Sequence, residues 1–390
     1  MHESVTNSGL SQQGLGRDPR LGLGSCRRLI AAAGVVSLVL AACSGGGSSS
    51  SPAGGAASTP SSAAASTGST TGTSPSAATT PDKVTIMVGG LSKFIYLPAK
   101  LTEQLGYFQE QGLSVELVDE GAGQDATEAV VAGQVQGAVG FYDHTVDIAG
   151  LGKHLIDVIQ LDAPLGEVEI VATSQADKIK SFADLKGQNI GITGKGSSTD
   201  LLSHYLAVKA GLLASDINTV PVGAGDTFIA AMQKGQIVAG MTTEPTVSRI
   251  LKTGLGKVLV DMRTVEGATA ALGGNYPGAS LYMQKTYVDA HKDVVQKLVN
   301  AFVKTLAWIH GHTAAEIAAK MPADYSSADP ELYQTALQAS LPMFTADGHM
   351  PQGAPELVLQ VLQTFDENVK GKTIDLSQTY TNEFVDAAPR

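Results

Sequence analysis

The chain predicts an α/β protein of two lobes, on three observations. Short β-branched runs alternate with helix-like segments from Val84 onward; about 300 residues follow position 81, more than one hydrophobic core usually accommodates; and a unit of strand, glycine loop, helix and strand returns 102 residues after its first appearance. Alternation of this kind implies parallel strands joined by crossover helices. The expected architecture is therefore two mostly parallel sheets flanked by helices, with a ligand cleft between the lobes at the carboxyl ends of the strands.

The elements follow in order. A first strand over 84–88 ends in Gly89-Gly90, a helix is expected over 98–108, and a second strand over 114–118. Gly121-Ala122-Gly123 opens the next helix and returns as Gly223-Ala224-Gly225, while Gly133-Gln134-Val135 closes it and returns as Gly235-Gln236-Ile237. Phe141-Tyr142-Asp143-His144 then corresponds to Thr243-Glu244-Pro245-Thr246, a polar loop after a strand in each copy. A strand over 190–193 runs into Gly194-Lys195-Gly196-Ser197-Ser198-Thr199-Asp200 and a helix over 201–210. After Gly274 the chain reads as mostly helical, with Val294, Val295, Leu298, Val299, Phe302, Val303 and Leu306 on one apolar face and Trp308 as a packing residue. The expected lobes are 82–172 with 266–390, and 173–265.

Two segments precede them. Arg27-Arg28 leads an apolar run over 29–40, too short to span about 30 Å of hydrocarbon but suited to a signal peptide occupying 1–42. Leu40-Ala41-Ala42-Cys43 resembles the bacterial lipobox, which implies a lipidated Cys43; an ordinary secretory leader leaves Cys43 incidental. Every residue over 44–81 is Ala, Gly, Pro, Ser or Thr, a composition that cannot offset the entropy of ordering. As a flexible tether it would span about 35 Å and hold a folded body near a membrane.

Charge and cysteine count exclude several classes. With 26 Lys+Arg against 37 Asp+Glu the formal charge is -11, a balance that suits a soluble protein and repels nucleic acid. The two cysteines are Cys26 and Cys43, so the folded part has no thiol for a disulfide, an iron–sulfur cluster or cysteine catalysis. No Walker A loop, GxSxG elbow or HExxH helix occurs, the glycine pairs lack the acidic partner of a dinucleotide fingerprint, and Asp143, His144 and Asp147 do not complete a four-ligand metal set. No cofactor, metal or catalytic residue is expected.

The glycine-Ser-Ser-Thr loop is the main candidate for ligand contact. Ser197, Ser198 and Thr199 stand at a helix start, where hydroxyls and free N–H groups suit an anionic oxygen cluster and equally suit a helix cap. Asp143 and Glu244 would offer carboxylates to N–H or cationic groups, or cap helices. Tyr96 and Tyr142 would supply flat apolar surface, with Tyr276 near the second crossing between lobes.

Taken together, Tyr96-Leu97-Pro98, Leu105-Gly106-Tyr107-Phe108, Gly112-Leu113-Ser114-Val115-Glu116-Leu117, Ala183-Asp184-Leu185-Lys186-Gly187, Gly196-Ser197-Ser198-Thr199 and Gly235-Gln236-Ile237 resemble the ABC-transporter solute-binding proteins of the nitrate, sulfonate and taurine group, the NMT1/THI5-like family. The resemblance implies a type II periplasmic-binding-protein fold, a small solute that is sulfonate-, nitrate- or taurine-like or pyrimidine-like, closure of two hinged lobes on it, and delivery to an ABC permease and its ATPase. With the lipobox-like Cys43 it implies an extracytoplasmic, lipid-anchored monomer; it also implies no enzyme activity, because the family's fungal pyrimidine synthases need a cysteine-rich motif that the folded part lacks. A pyrimidine-related enzyme and a non-transport sensor on the same fold are the alternatives.

Overall fold

Two five-stranded sheets organise residues 82–389, the part of the chain that the computed structural model describes. The expected leader, Cys43 and the tether lie outside the described residues. In chain order the strands are β1 (Asp82–Val88), β2 (Leu113–Asp119), β3 (Gly137–Phe141), β4 (Leu155–Gln160), β5 (Glu167–Ala172), β6 (Asn189–Ile192), β7 (Asn218–Pro221), β8 (Ala239–Thr243), β9 (Gly256–Asp261) and β10 (Ala279–Gln284). The first sheet runs β2-β1-β3-β10-β4 and the second β7-β6-β8-β5-β9.

The two orders are the same under the sequence repeat, with β2, β1, β3 and β4 answering to β7, β6, β8 and β9. The remaining strand of each sheet is antiparallel to both neighbours and is delivered by the chain arriving from the other half. β5 enters the second sheet directly after β4, and β10 enters the first after β9. The sheets are thus mixed, and β5, expected at the end of the first lobe, belongs to the second sheet, so the crossing falls between Gln160 and Glu167. β10 was not expected at all; it lies between β3 and β4 in a stretch that reads as helical, because Ala279-Ser280-Leu281-Tyr282-Met283-Gln284 has little of the β-branched character of an isolated strand.

The helices near the site are α1 (Leu97–Gln104), α2 (Tyr107–Glu110), α3 (Gly123–Val131), α4 (Asp143–Gly150), α5 (Ser198–Lys209), α6 (Asp226–Gln233) and α7 (Thr246–Lys252); all but α2, which follows α1 directly, come after the carboxyl end of a strand. The single helix expected over 98–108 is broken between α1 and α2 at Leu105-Gly106. Gly133 after α3 and Gly235 after α6 have φ of 70° and 66°, the left-handed turn that lets each helix hand over to its strand.

Val294, Val295, Leu298, Val299, Phe302, Val303 and Leu306 are buried along the helix Lys292–His310, which packs on α1 and α2. Trp308 stacks on His312 with ring centroids 3.8 Å apart. Two later helices reach the other half: Pro330–Ser340 packs against α7, and Ala354–Gln363 against α5. Among the described residues no helix is long and apolar enough to cross a membrane.

Candidate functional site

Because α3, α4 and α5 all begin where strands end, their first turns meet between the sheets. Asp143, the first residue of α4, is fully buried and accepts a hydrogen bond from Ser198 Oγ of α5 at 2.8 Å and from Tyr276 Oη of the second crossing at 3.2 Å. One carboxylate therefore joins the first half, the second half and the strand of chain between them. Burial pushes Asp143 up to about 7, against the pull of the Ser198 and Tyr276 hydrogen bonds.

Beside this node lies an internal cavity of about 10 Å³, lined by Lys93, Tyr96, Gly123 and Phe141 from the first half and by Glu167, Thr193, Ser197, Ser198 and Thr199 from the second. That is room for about one water. The chain passes between the halves twice, after β4 and after β9. A larger cavity of about 720 Å³ opens from Lys93 toward solvent between Gly90 and Gly121 on one side and Gly223, Gly225, Thr246 and the Tyr325–Tyr333 region on the other.

Of the expected residues, Ser197, Ser198, Thr199 and Tyr96 line the internal cavity, Asp143 is bonded to its wall at Ser198, and Tyr276 is bonded to Asp143 behind it. The loop hydroxyls do less ligand-ready work than the sequence suggests. Ser197 Oγ donates to the Gly194 carbonyl at 2.6 Å, Thr193 Oγ1 donates to Ser197 Oγ at 2.9 Å, and Thr199 Oγ1 accepts from the Thr193 amide at 3.0 Å. Ser197 occupies the N-cap position of α5 without its side chain capping the helix. The loop is locked by its own hydroxyls, and only Ser198 reaches across the cleft.

Tyr142 and Glu244 do not face the cavity. Tyr142, the residue before α4, is fully buried, hydrogen-bonded to Thr379 Oγ1 at 2.6 Å and edge-on to Tyr380, on the side of the C-terminal segment. Glu244 accepts from the Ser248 amide and hydroxyl, each at 3.0 Å, and from Arg263 Nη1 at 2.8 Å, so it caps α7 and holds an arginine. Its backbone carbonyl accepts from the Phe94 amide at 3.0 Å and so still ties the halves together.

Three buried charged groups were missed. Lys93 Nζ is buried and donates to the carbonyls of Gly89 at 2.5 Å and Gly121 at 3.2 Å; desolvation brings it down to about 8 despite nearby Glu167 and Asp119. Glu167, at the start of β5, is 3% exposed, and its Oε2 has no hydrogen-bond partner among the described residues. Burial raises it to about 7 although Lys93 opposes the shift. Glu169 on the same strand face is fully buried, neither carboxyl oxygen has a partner among the described residues, and burial raises its pKa well above the usual range. In the sequence a Glu-Val-Glu-Ile alternation reads as a solvent-facing strand; the only available hint was that Leu165 and Val171 bracket it with apolar residues.

His144 is buried, neither ring nitrogen has a hydrogen-bond partner among the described residues, its Nδ1 stands 3.7 Å from Asp143 Oδ1, and desolvation lowers it to about 4. It belongs to no metal set: among the described residues no group of three or more His, Cys, Asp or Glu side chains is placed to hold an ion.

Two sheets of matching strand order, two crossings and a cavity walled by both halves define a type II periplasmic-binding-protein fold. Residues 96–315 match the family described as NMT1/THI5 like, and the chain belongs to that family. It is similar to a solved structure from Bordetella bronchiseptica RB50, 34% identical, with 78% of this chain and 96% of that one covered and a TM-score of 0.75. It is also similar in fold to the alkanesulfonate-binding protein of Xanthomonas axonopodis pv. citri bound to MOPS, 18% identical, with 77% and 99% covered and a TM-score of 0.63. Among curated relatives, the 4-amino-5-hydroxymethyl-2-methylpyrimidine phosphate synthase of Aspergillus parasiticus is 28% identical over 42% of this chain and 46% of that protein, so the chain spans under half of its length.

Proposed function

We propose that the chain is the solute-binding component of an ABC importer, which takes up a small organic solute by closing its two halves and presents it to a permease driven by an ATPase. The observation that carries this reading is the cavity between the sheets, walled by residues of both halves, with the Ser198–Asp143 bond joining the halves beside it. A shape closed by contacts across two crossings is what a permease can tell from an open one, and solute contacts made only on closure shift that equilibrium. In the same reading Cys43 carries a lipid and residues 44–81 tether the body, as a monomer, to the outer face of a membrane.

The synthase match supports an enzymatic alternative, yet no cysteine follows Cys43. Mass spectrometry of small molecules released from the purified protein tests the proposal. One stoichiometric, unaltered organic compound whose return raises the melting temperature is the expected result. Its steady conversion to product would replace the receptor with an enzyme, and a chain that carries and binds no solute would end the reading.

A further inference from the structure

One wall of the larger cavity is a strap, residues 324–329, that touches both halves. Upstream it lies by the first half: burial and the carboxylates of Asp119, which ends β2, of neighbouring Asp324 and of Glu103 in α1 push the Tyr325 hydroxyl up to about 12. Downstream it is held by the second half. Asp329 is ion-paired with Lys252 of α7, and it caps the helix Pro330–Ser340, which packs on α7, by accepting from the Leu332 amide at 3.1 Å. Between these ends stand three small residues, Ser326, Ser327 and Ala328, and no residue from Pro322 to Leu332 is buried. The buried anchors lie outside the strap, at Met321 and at Tyr333, whose ring stands edge-on to Phe94 at 4.8 Å. The strap's backbone bonds, Tyr325 to Pro322 and Asp329 to Ser326, are local to it. Among the described residues its side-chain bond to the second half is Asp329 to Lys252. A segment with few buried contacts opens locally at low cost.

We propose that residues 324–329 are a gate on the cleft, with Asp329 and Lys252 as its catch: the pair fastens the strap to the second half, and its release widens the way to Lys93 and the inner cavity while the Ser198–Asp143 contact stays made. The proposal rests on the solute-binding reading and adds a gate to it. The catch suits reversible opening. Its partners are 55% and 34% exposed, so the pair is weak and is screened by salt. Ser326, Ser327 and Ala328 carry no bulky side chain that must be repacked when the strap lifts. The Tyr333–Phe94 contact keeps the downstream helix in place meanwhile, beside the bond from the Phe94 amide to the Glu244 carbonyl that ties the halves. A local opening of this kind needs no change at the starts of α4 and α5.

Lys93 serves as the reporter, because it lines both cavities. The full chain is treated briefly with acetic anhydride, and peptide mass spectrometry reads the rate at which Lys93 is acetylated. Asp329→Asn removes the charge and keeps a helix-capping side chain. Lys252→Gln removes the other partner, and Lys285→Gln, which breaks the Lys285–Asp289 pair outside the cavity, is the control. The expected result is a rise of about twofold to fivefold at Lys93 in either catch variant, the range an exposed ion pair supplies. The double variant should rise no further and the control not at all. About 1 M NaCl should raise the wild-type rate and leave that of the double variant unchanged. Hydrogen exchange in the catch variants should quicken over residues 323–332 and stay as in wild type at the first turn of α5. Wild-type rates at Lys93 in both catch variants overturn the proposal, as do rises that add in the double variant or appear equally in the control. Exchange that quickens as much at the start of α5 overturns it too, because the halves then part as wholes. None of these results touches the importer reading, which needs no gate and falls only if the purified chain neither releases nor binds a solute.

Discussion

Ser198 Oγ and Asp143 Oδ1 lie 2.8 Å apart although 55 residues and a sheet-to-sheet crossing separate them along the chain. Each is the first residue of its helix, so the contact joins the starts of α4 and α5 and exists only while the halves are together. Ser198→Ala removes the donor and leaves a buried carboxyl oxygen without it, a cost of about 1–3 kcal/mol. On the proposed closing motion, the closed form loses that amount and the open form does not. Small-angle scattering of the ligand-free variant should show a larger radius of gyration than wild type; identical profiles would mean that the bond does not hold the cleft shut.

Gly194 tests the same closure without touching a polar group. A Cβ built there stands 2.8 Å from the Ala122 Cβ of the other half, nearer than two methyl groups can approach. Gly194→Ala is expected to wedge the halves apart at a cost of about 1–3 kcal/mol to the closed form, and so to weaken solute affinity by about tenfold or more. Without solute the variant, like Ser198→Ala, should show a larger radius of gyration than wild type. A variant that binds as tightly as wild type would place the wedge elsewhere.

Glu244 provides the contrast. All of its side-chain bonds, to Ser248 and Arg263, lie at the start of α7 and away from the inner cavity. Glu244→Gln should therefore destabilise the fold by about 1–3 kcal/mol, read by urea unfolding, while leaving solute affinity within about twofold of wild type. A large loss of affinity at unchanged stability would return Glu244 to the ligand.

How far the sequence carried can be traced through these residues. The repeat was visible because glycines that must sit at left-handed caps, Gly133 and Gly235, recur with their helices and strands, and local backbone geometry leaves a mark on sequence. The position of the Ser197-Ser198-Thr199 loop was legible for the same reason. What its hydroxyls bind was not: Thr193 and the Gly194 carbonyl satisfy them through a turn whose hydrogen bonds depend on the folded backbone. Tyr142 and Glu244 stand one residue from Asp143 and Thr243 and point elsewhere, a matter of helix phase that spacing alone leaves open. Glu167 and Lys93 were invisible because their burial comes from topology. β5 is covered only because it inserts between β8 and β9, and Lys93 is enclosed only because the loops at Gly89 and Gly121 meet over it. β10, which completes the first sheet, escaped for the reason that it is made by its neighbours and not by its own propensity.

Buried ionisable groups around the cleft give the stability of the chain a defined pH dependence. Burial holds Asp143 and Glu167 at about 7, well above the value of about 4 that they take unfolded. Between those values the folded chain keeps protons that the unfolded chain has released, so this contribution is fully present below about pH 4 and is lost as pH rises to about 7, by up to about 1.4 kcal/mol per pH unit for each group. Glu169, Asp162 and Asp157, also raised by burial, add to the same slope. His144 opposes it: burial lowers it to about 4, so its contribution is present above about pH 6.5 and is lost as pH falls from there to 4. Lys93, lowered to about 8, titrates above the window. Urea unfolding of wild type, Glu167→Gln and His144→Gln from pH 4.5 to 7.5 separates the two signs. Relative to wild type, Glu167→Gln should gain stability steadily as pH rises and level off above about 7, while His144→Gln should gain as pH falls below about 6.5. Curves that run parallel to wild type across the whole range would mean that neither side chain is as dry as the fold makes it.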